Sequence, residues 1–480
     1  MAERSGMPAG GLSGPTAGFA FAALALLPMG AAVASGLEPQ SLWKEIGAGL
    51  GLLGGALLFL QFPSSGRFER LSGRIGIDRT MGFHRLSALL LLLAVSLHPI
   101  AYAVPAFLRS PSSGLARLQA LVTNGRLATG VAALALLAVL VVLASLRTRL
   151  PARYELWRVS HGPLAVVAAG LVLHHLATVG NYSAERLVWV AWMVLAAIAA
   201  ISALLTYVAR PWQMARGGWQ VERVSQAADG VVELVLRCAP TATFCFRGGQ
   251  FVWLTVAPNR PPFHDHPYSI ASGPAELPLL RLLVREVGDC TTTYRDLAPG
   301  THVALDGPHG SFVLPDEPKG VAMIAGGVGI APLLGILEEA AARGDRRPFR
   351  LLYAARSTDA MAGSERLEAL QDRLDLRVAR HADRSGEDGN VKTSPLADRE
   401  LDGVVAGLDP ETTVAMVCGP PQLMEKVTDR LLALGLPPHS VLYERFDYAG
   451  GRGRLDRMRR RQALAVLLPL LAAALLFALR

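Results

Sequence analysis

Six apolar stretches dominate the first 210 residues: roughly 17–35, 46–62, 84–105, 127–146, 160–180 and 187–209. Each approaches the ~20 residues that a helix needs to cross about 30 Å of hydrocarbon. Lipid offers no partner for backbone N–H and C=O groups, so such runs are expected to be helices whose hydrogen bonds close within the segment. Residues 17–210 are therefore predicted to form a membrane α-helical bundle of six helices. The chain is 51% hydrophobic and 18% charged, but that average covers two unlike halves. Residues 216–448 have the charge density and short strand-like runs of a soluble enzyme.

Basic residues orient the bundle. Arg67, Arg70, Arg74, Arg79 and Arg85 follow the second stretch, Arg147, Arg149, Arg153 and Arg158 the fourth, and Arg210 and Arg216 the sixth. The opposite connections hold fewer: Lys44, then Arg109, Arg117 and Arg126 around the outward loop 106–126, then Arg186. The positive-inside rule predicts a multi-pass protein of the plasma (inner) membrane with its first residues and its soluble part in the cytoplasm. The first stretch ends in Ala32-Val33-Ala34-Ser35, like a cleavage site, but with Arg4 as its one preceding positive charge it is read as a retained helix. A last apolar run, Ala463–Leu479, follows Arg457, Arg459, Arg460 and Arg461 and contains Pro469. It is either a seventh crossing or an interfacial anchor, a tether without chemistry of its own.

The net charge of +8 is explained by arginine beside membrane segments. No basic face is interleaved with aromatics, so no nucleic-acid partner is expected. The four cysteines, Cys238, Cys245, Cys290 and Cys418, all fall in the soluble half without a C-x-x-C pair. That spacing argues against a disulfide framework or a structural zinc site and fits a reducing compartment.

Ionisable residues inside a bilayer are costly and call for a partner or a function. His84 and His98 lie on the third stretch, 14 residues apart, and His161 with His174 or His175 lies on the fifth. An interval of 14 residues separates side chains by about 21 Å along a helix and ~40° around it. Two such helices face to face would offer two stacked histidine pairs, the arrangement that bis-imidazole ligation of two b-type haems requires. His175 keeps the 14-residue interval from His161, whereas His174 turns the side chain by about 140° in an ideal helix. A local bulge would restore the phase, so both stand as candidates for the outer site.

The segment Ser145–His161 (SLRTRLPARYELWRVSH) resembles the start of the fifth helix in the ferric reductase and NADPH oxidase superfamily. There a Trp recurs four residues before the ligand His, as Trp157 does here. The resemblance implies a pairing of His84 with His161 for the inner haem, and of His98 with His175 or His174 for the outer one.

Residues 216–315 read as short strands joined by turns, among them Val231–Leu236, Phe251–Val256 and Leu279–Val284, the pattern of a small antiparallel β-barrel. The tetrad His266-Pro267-Tyr268-Ser269, followed by Ile270-Ala271-Ser272, is similar to the flavin-binding motif of the ferredoxin-reductase-like fold. In the membrane branch a His-Pro begins that motif where soluble relatives have Arg. Gly288-Asp289-Cys290-Thr291 follows the strand ending at Arg285, and its glycine and threonine hydroxyl suit a pyrophosphate. Asp306-Gly307-Pro308-His309-Gly310 resembles the family's Gly-Pro-x-Gly turn. Together these imply an FAD-binding domain.

Residues 319–448 alternate strands and helices, as an α/β doubly wound nucleotide-binding domain should. The strand Gly320–Ile324 runs into Gly326-Gly327-Val328-Gly329-Ile330-Ala331-Pro332, a glycine-rich turn that lets phosphate approach a helix start. Cys418-Gly419-Pro420 after the strand Thr413–Val417 resembles the family's Cys-Gly-Pro turn beside the nicotinamide. Arg356 stands where relatives place a basic residue for the 2′-phosphate of NADPH, with NADH the alternative donor. Tyr443-Glu444-Arg445-Phe446 resembles the end of these dehydrogenases, where an aromatic lies on the flavin until nicotinamide displaces it, a role assigned to Phe446. Residues 449–480 are read as a basic linker and C-terminal membrane segment.

The expectation is an NAD(P)H-dependent flavohaem oxidoreductase with FAD and two haems b, passing electrons outward to dioxygen or a ferric chelate. A module that feeds a periplasmic protein or quinone is the rival reading.

Overall fold

The computed structural model describes the chain apart from residues 1–11, 66–67, 69–74, 147–153, 181, 183, 215–216, 240–243, 257–265, 288, 384–391, 394–395 and 446–450. Two of the residues singled out above, Gly288 and Phe446, lie outside the described residues. The chain divides into two compact units, one holding Gly11–Ala209 with Arg460–Arg480 and the other holding Arg210–Arg459.

The first unit begins with α1 (Gly14–Ala34), α2 (Leu42–Leu60) and α3 (Ile77–Phe107). It continues through α4 (Pro111–Thr123), α5 (Ala128–Leu146), α6 (Tyr154–Val179) and α7 (Arg186–Leu204). Apolar length makes six of these candidates for crossing a membrane. The exception is α4, which occupies most of the 106–126 segment expected to be a loop. Its sequence explains the helix: Pro111 sits at the helix start, the Ser110 hydroxyl accepts from Ser113 N, and Gly114 lets α4 approach the Phe107 ring.

The hub of this unit is α2. Its glycines each admit a different neighbour: Gly47 the Tyr102 ring, Gly49 the Ala474 carbonyl, Gly51 the His98 ring and Gly55 the Trp192 ring. Close backbone approach through small residues is how helices pack where lipid removes the hydrophobic drive between them. Trp192 is thereby fully buried beside Leu53, Ala56 and Leu57.

In the second unit, strands β1 (Trp219–Ala228), β2 (Val231–Cys238), β3 (Phe251–Val256), β4 (His266–Ser269), β5 (Leu279–Arg285) and β6 (His302–His309) form one antiparallel sheet in the order β4-β3-β6-β1-β2-β5. A bridge between Ile270 and Leu282 joins its two edges, so the sheet closes into a barrel. The β1–β2 hairpin turns through Asp229-Gly230 with Gly230 at φ +65°, the two-residue turn that matches strand twist.

The barrel is followed by β7 (Gly320–Gly326), α8 (Ile330–Ala342), β8 (Phe349–Ala355), α9 (Ser364–Gln371), β9 (Leu376–Ala382), β10 (Lys392–Thr393), α10 (Asp398–Val405), β11 (Thr413–Cys418), α11 (Pro421–Ala433) and β12 (Val441–Tyr443). The strands pair in parallel in the order β10-β9-β8-β7-β11-β12. Because the chain starts at β7, runs outward one way and returns on the other side, the order reverses between β7 and β11. Their carboxyl ends define the crevice where open α/β sheets bind ligands.

Barrel and sheet are fastened by two consecutive acids on α8. Glu338 accepts from Gly273 N at 2.7 Å and from Arg366 Nε at 2.9 Å. Glu339 accepts from Gly248 N at 2.6 Å and from Arg247 Nε at 3.2 Å. Gly335, one turn earlier, lies against the carbonyls of Ile270 and Ser272. Glu339→Ala would strand the buried Gly248 N–H and release its arginine partners. A loss of about 3 kcal/mol is expected, read as a lower urea midpoint for flavin release from the full-length protein.

The last α-helix is α12 (Arg454–Leu476), which starts ahead of the arginine run rather than at the apolar segment and is, among the described residues, the seventh helix long and apolar enough to cross a membrane. Among the described residues the fold is thus seven apolar helices with an antiparallel barrel and a parallel α/β sheet.

Candidate functional site

The flavin-motif residues His266, Pro267, Tyr268 and Ser269 make up β4, which pairs with β3 so that Ser269 faces Phe251 and Pro267 faces Trp253. Phe251 in turn packs against the His309 ring at 5.8 Å. Tyr268 meets Tyr294, with hydroxyls 3.4 Å apart and ring centroids 6.0 Å apart. Tyr294 follows the helical turn Asp289–Thr292, so the aromatic motif and the predicted pyrophosphate turn converge. The Thr291 hydroxyl accepts from Val287 N at 2.8 Å, which shapes that turn. Tyr294 carried no signal in the sequence, since its contact with Tyr268 depends on barrel closure. Asp306, at the head of the Gly-Pro-x-Gly turn, lies 3.1 Å from His309 Nε2 and 3.8 Å from Arg210.

At the reversal point of the sheet, β7 ends at Gly326 and β11 at Cys418. The glycines divide their work. An added Cβ on Gly329 would stand 2.3 Å from the Cys418 carbonyl oxygen, and one on Gly326 would meet Leu423, Pro420 and Gly419. These two let the turns after β7 and β11 pack together. Gly327, at φ +55°, faces open space and is the one positioned to leave room for a ligand. Pro332 is buried in the first turn of α8, while Pro420 is exposed and Gly419 half-buried. Arg356 is exposed just past β8, the strand beside β7.

Cys418 is buried and lies within electrostatic reach of Glu444, just past β12. Burial pushes its thiol up, and the Glu444 carboxylate acts in the same direction. The side chain therefore stays a neutral thiol and is unsuited to act as a nucleophile. Glu444 also reaches the barrel, where its Oε1 would lie 2.8 Å from a Cβ on Gly310. The Gly-Pro-x-Gly turn, the Cys-Gly-Pro turn and the acid of the last strand thus gather at one place.

In the membrane unit, the His98 Nδ1 donates to the Gly47 carbonyl at 2.7 Å, which leaves Nε2 as the ring's available lone pair. His98 and His175 lie within electrostatic reach of each other. The His175 Nδ1 is buried without a hydrogen-bond partner among the described residues, and its ring fills space that a Cβ on Gly130 would occupy. His174 is exposed and its Nδ1 lies 3.3 Å from Thr129 Oγ1. His84 Nδ1 lies 3.3 Å from Ser64 Oγ, and His161 packs on Trp157 with ring centroids 5.2 Å apart. α3 packs chiefly on α2, and α6 on α5; among the described residues α3 and α6 touch each other far less. Imidazoles seated against glycines on two helices that are not packed together fit the insertion of a flat ring system. Among the described residues no three or more His, Cys, Asp or Glu side chains cluster for a bare metal ion, whereas haem ligation needs only pairs. The glycines at these levels were not legible in the sequence, because each serves a helix other than its own.

Residues 50–172 match the family described as the ferric reductase like transmembrane component, and residues 323–429 match the oxidoreductase NAD-binding domain. The toluate 1,2-dioxygenase electron transfer component of Pseudomonas putida is 27% identical over 241 residues, covering 48% of this chain and 68% of that protein. Sulfhydrogenase 1 subunit gamma of Pyrococcus furiosus is 30% identical over 203 residues, covering 41% of this chain and 66% of that protein. Among solved structures, a cytochrome P450 reductase from Amycolatopsis gives a TM-score of 0.43 at 25% identity, covering 48% of this chain and 69% of its own. The flavohemoglobin of Malassezia yamatoensis gives 0.45 at 17%, covering 76% and 98%. Fold, site and family matches define a membrane oxidoreductase that transfers electrons from NAD(P)H through a flavin-type reductase unit. Its two matched segments join a ferric reductase like transmembrane component to an oxidoreductase NAD-binding domain.

Proposed function

We propose that the protein carries electrons from cytoplasmic NAD(P)H through FAD and two b-type haems to dioxygen or a ferric chelate outside the plasma membrane. In this reading residues 17–210 form the di-haem domain, 216–315 the FAD domain, 319–448 the NAD(P) domain and 449–480 a basic linker with a C-terminal membrane segment. The observation that supports it most is the placement of His98 and His175, each seated against a glycine of a neighbouring helix and within electrostatic reach of each other.

His84 with His161 and His98 with His175 would hold the haems. His266 to Ser269, Gly288 and Thr291 would hold the FAD. Gly326, Gly327, Gly329, Pro332, Arg356, Gly419 and Pro420 would form the nucleotide crevice, with Cys418 and Phe446 at the nicotinamide. Bound flavin would supply the change from two-electron to one-electron transfer, and bound haem the one-electron carriage. The chain's own work is to seat these groups, to exclude water around Cys418 and to hold Glu444 beside it.

The deciding experiment is a reduced-minus-oxidised optical spectrum of the purified protein, titrated with NADPH under nitrogen and then exposed to air. Two b-type haem signals that appear with NADPH and decay in air with superoxide formed are expected for the oxidase. Decay only with ferric chelate selects the reductase, and decay only with a quinone or periplasmic protein selects the relay. Absence of any haem signal sinks the reading of the histidines.

A further inference from the structure

One buried charged cluster of the membrane unit is left unused by the function proposed above. Glu45, in the first turn of α2, is 1% exposed. Its carboxylate accepts from the Tyr182 hydroxyl at 2.7 and 2.6 Å on its two oxygens, from Gln40 N at 2.9 Å, and from Arg480 Nη1 at 3.0 Å. Arg480 Nη2 donates to the Tyr182 hydroxyl at 2.6 Å, and the guanidinium lies 3.7 Å above the Phe477 ring. A carboxylate this deeply buried is tolerated only with such a full set of donors.

The cluster is two residues from Gly47, whose carbonyl accepts from His98 Nδ1. Gly47 also packs under the Tyr102 ring, and Tyr102 lies edge-on to His98 with centroids 5.3 Å apart. The first turns of α2 are thus held on one side by Ala474, Phe477 and Arg480 and on the other by His98 and Tyr102. A backbone carbonyl that orients a ligating imidazole governs how firmly the group beyond it is held. This carbonyl can shift only if the start of α2 shifts, and the Arg480–Glu45 pair fixes that start.

We propose that Arg480 is a positioning residue for His98, acting through Glu45 and the Gly47 carbonyl. The proposal rests on the di-haem reading. It makes the last apolar helix part of the redox machinery and not a mere tether. Arginine suits the task because its fork serves Glu45 and Tyr182 together while its face stacks on Phe477; lysine would supply the charge alone.

The test compares wild type with Arg480→Met and Arg480→Lys in the full-length protein. Low-temperature EPR of the oxidised haems and the rate of haem transfer to excess apomyoglobin are the two readouts. Arg480→Met is expected to change one of the two low-spin signals and to speed loss of that haem roughly 10-fold. The other signal and flavin reduction by NADPH stay as in wild type, and Arg480→Lys recovers part of the altered signal. Tyr182→Phe, which removes only the bridging hydroxyl, gives a smaller change of the same kind and serves if Arg480→Met does not accumulate. Unchanged signals and loss rates in a folded variant overturn the proposal, as does an equal change in both haems. A wild type without haem signals instead removes the di-haem reading itself.

Discussion

His98→Leu is expected to leave the protein with one haem and to lower electron delivery to the outer acceptor at least ~100-fold, about 2.7 kcal/mol of barrier. Flavin reduction by NADPH should be untouched, because the replaced ring lies in the membrane unit while the nucleotide crevice is built from β7 and β11. Leucine fills similar space beside Gly51, so loss of the ligand and not a cavity dominates. His175→Leu should reproduce the effect and His174→Leu should not, since His174 is exposed and His175 is seated against Gly130. Pyridine haemochrome content with stopped-flow flavin reduction checks all three. If His174→Leu alone loses haem, the ligand assignment is wrong.

Gly329→Val should produce the opposite phenotype. A Cβ at Gly329 would stand 2.3 Å from the Cys418 carbonyl oxygen, and the obstacle is backbone that cannot rotate away. The turns after β7 and β11 must then separate, at a cost of about 1–3 kcal/mol in packing and with the crevice deformed. Flavin reduction by NADPH is expected to fall roughly 100-fold, while dithionite still reduces every carrier. Gly327→Ala is the milder control. Its added Cβ meets open space, so only the left-handed backbone at φ +55° is penalised, by about 1–2 kcal/mol. Equal NADPH kinetics in Gly329→Val and wild type would mean that the crevice lies elsewhere.

The features that were legible in the sequence are those carried by local periodicity. Apolar runs of membrane length gave the helices, and the strand read at Phe251–Val256 is β3 with the same limits. The strand read at Gly320–Ile324 extends two residues further as β7 into the glycine turn, because Gly326 is held by its pairing with Ala354. Helix α4 escaped notice because its length and polarity resemble a loop, and its cause is a Ser-Pro start and one glycine contact. Contacts between segments far apart in the chain were not legible. Nothing local to Gly51, Gly130 or Glu45 reveals that each answers a side chain on another helix.

The glycine-lined helix α2 has a consequence for how the protein is made. Of the seven apolar helices it is the least hydropathic and the most enclosed by its neighbours, and Glu45 lies buried in its first turn. A segment of this kind partitions poorly into lipid alone, since a charged residue in the hydrocarbon carries a penalty of a few kcal/mol. Its stabilising contacts include Ala474 and Arg480, which the ribosome delivers only after the barrel and the α/β sheet have emerged. The start of α2 is therefore expected to reach its final packing only once the last helix has been made, with Arg480 the partner that Glu45 gains last.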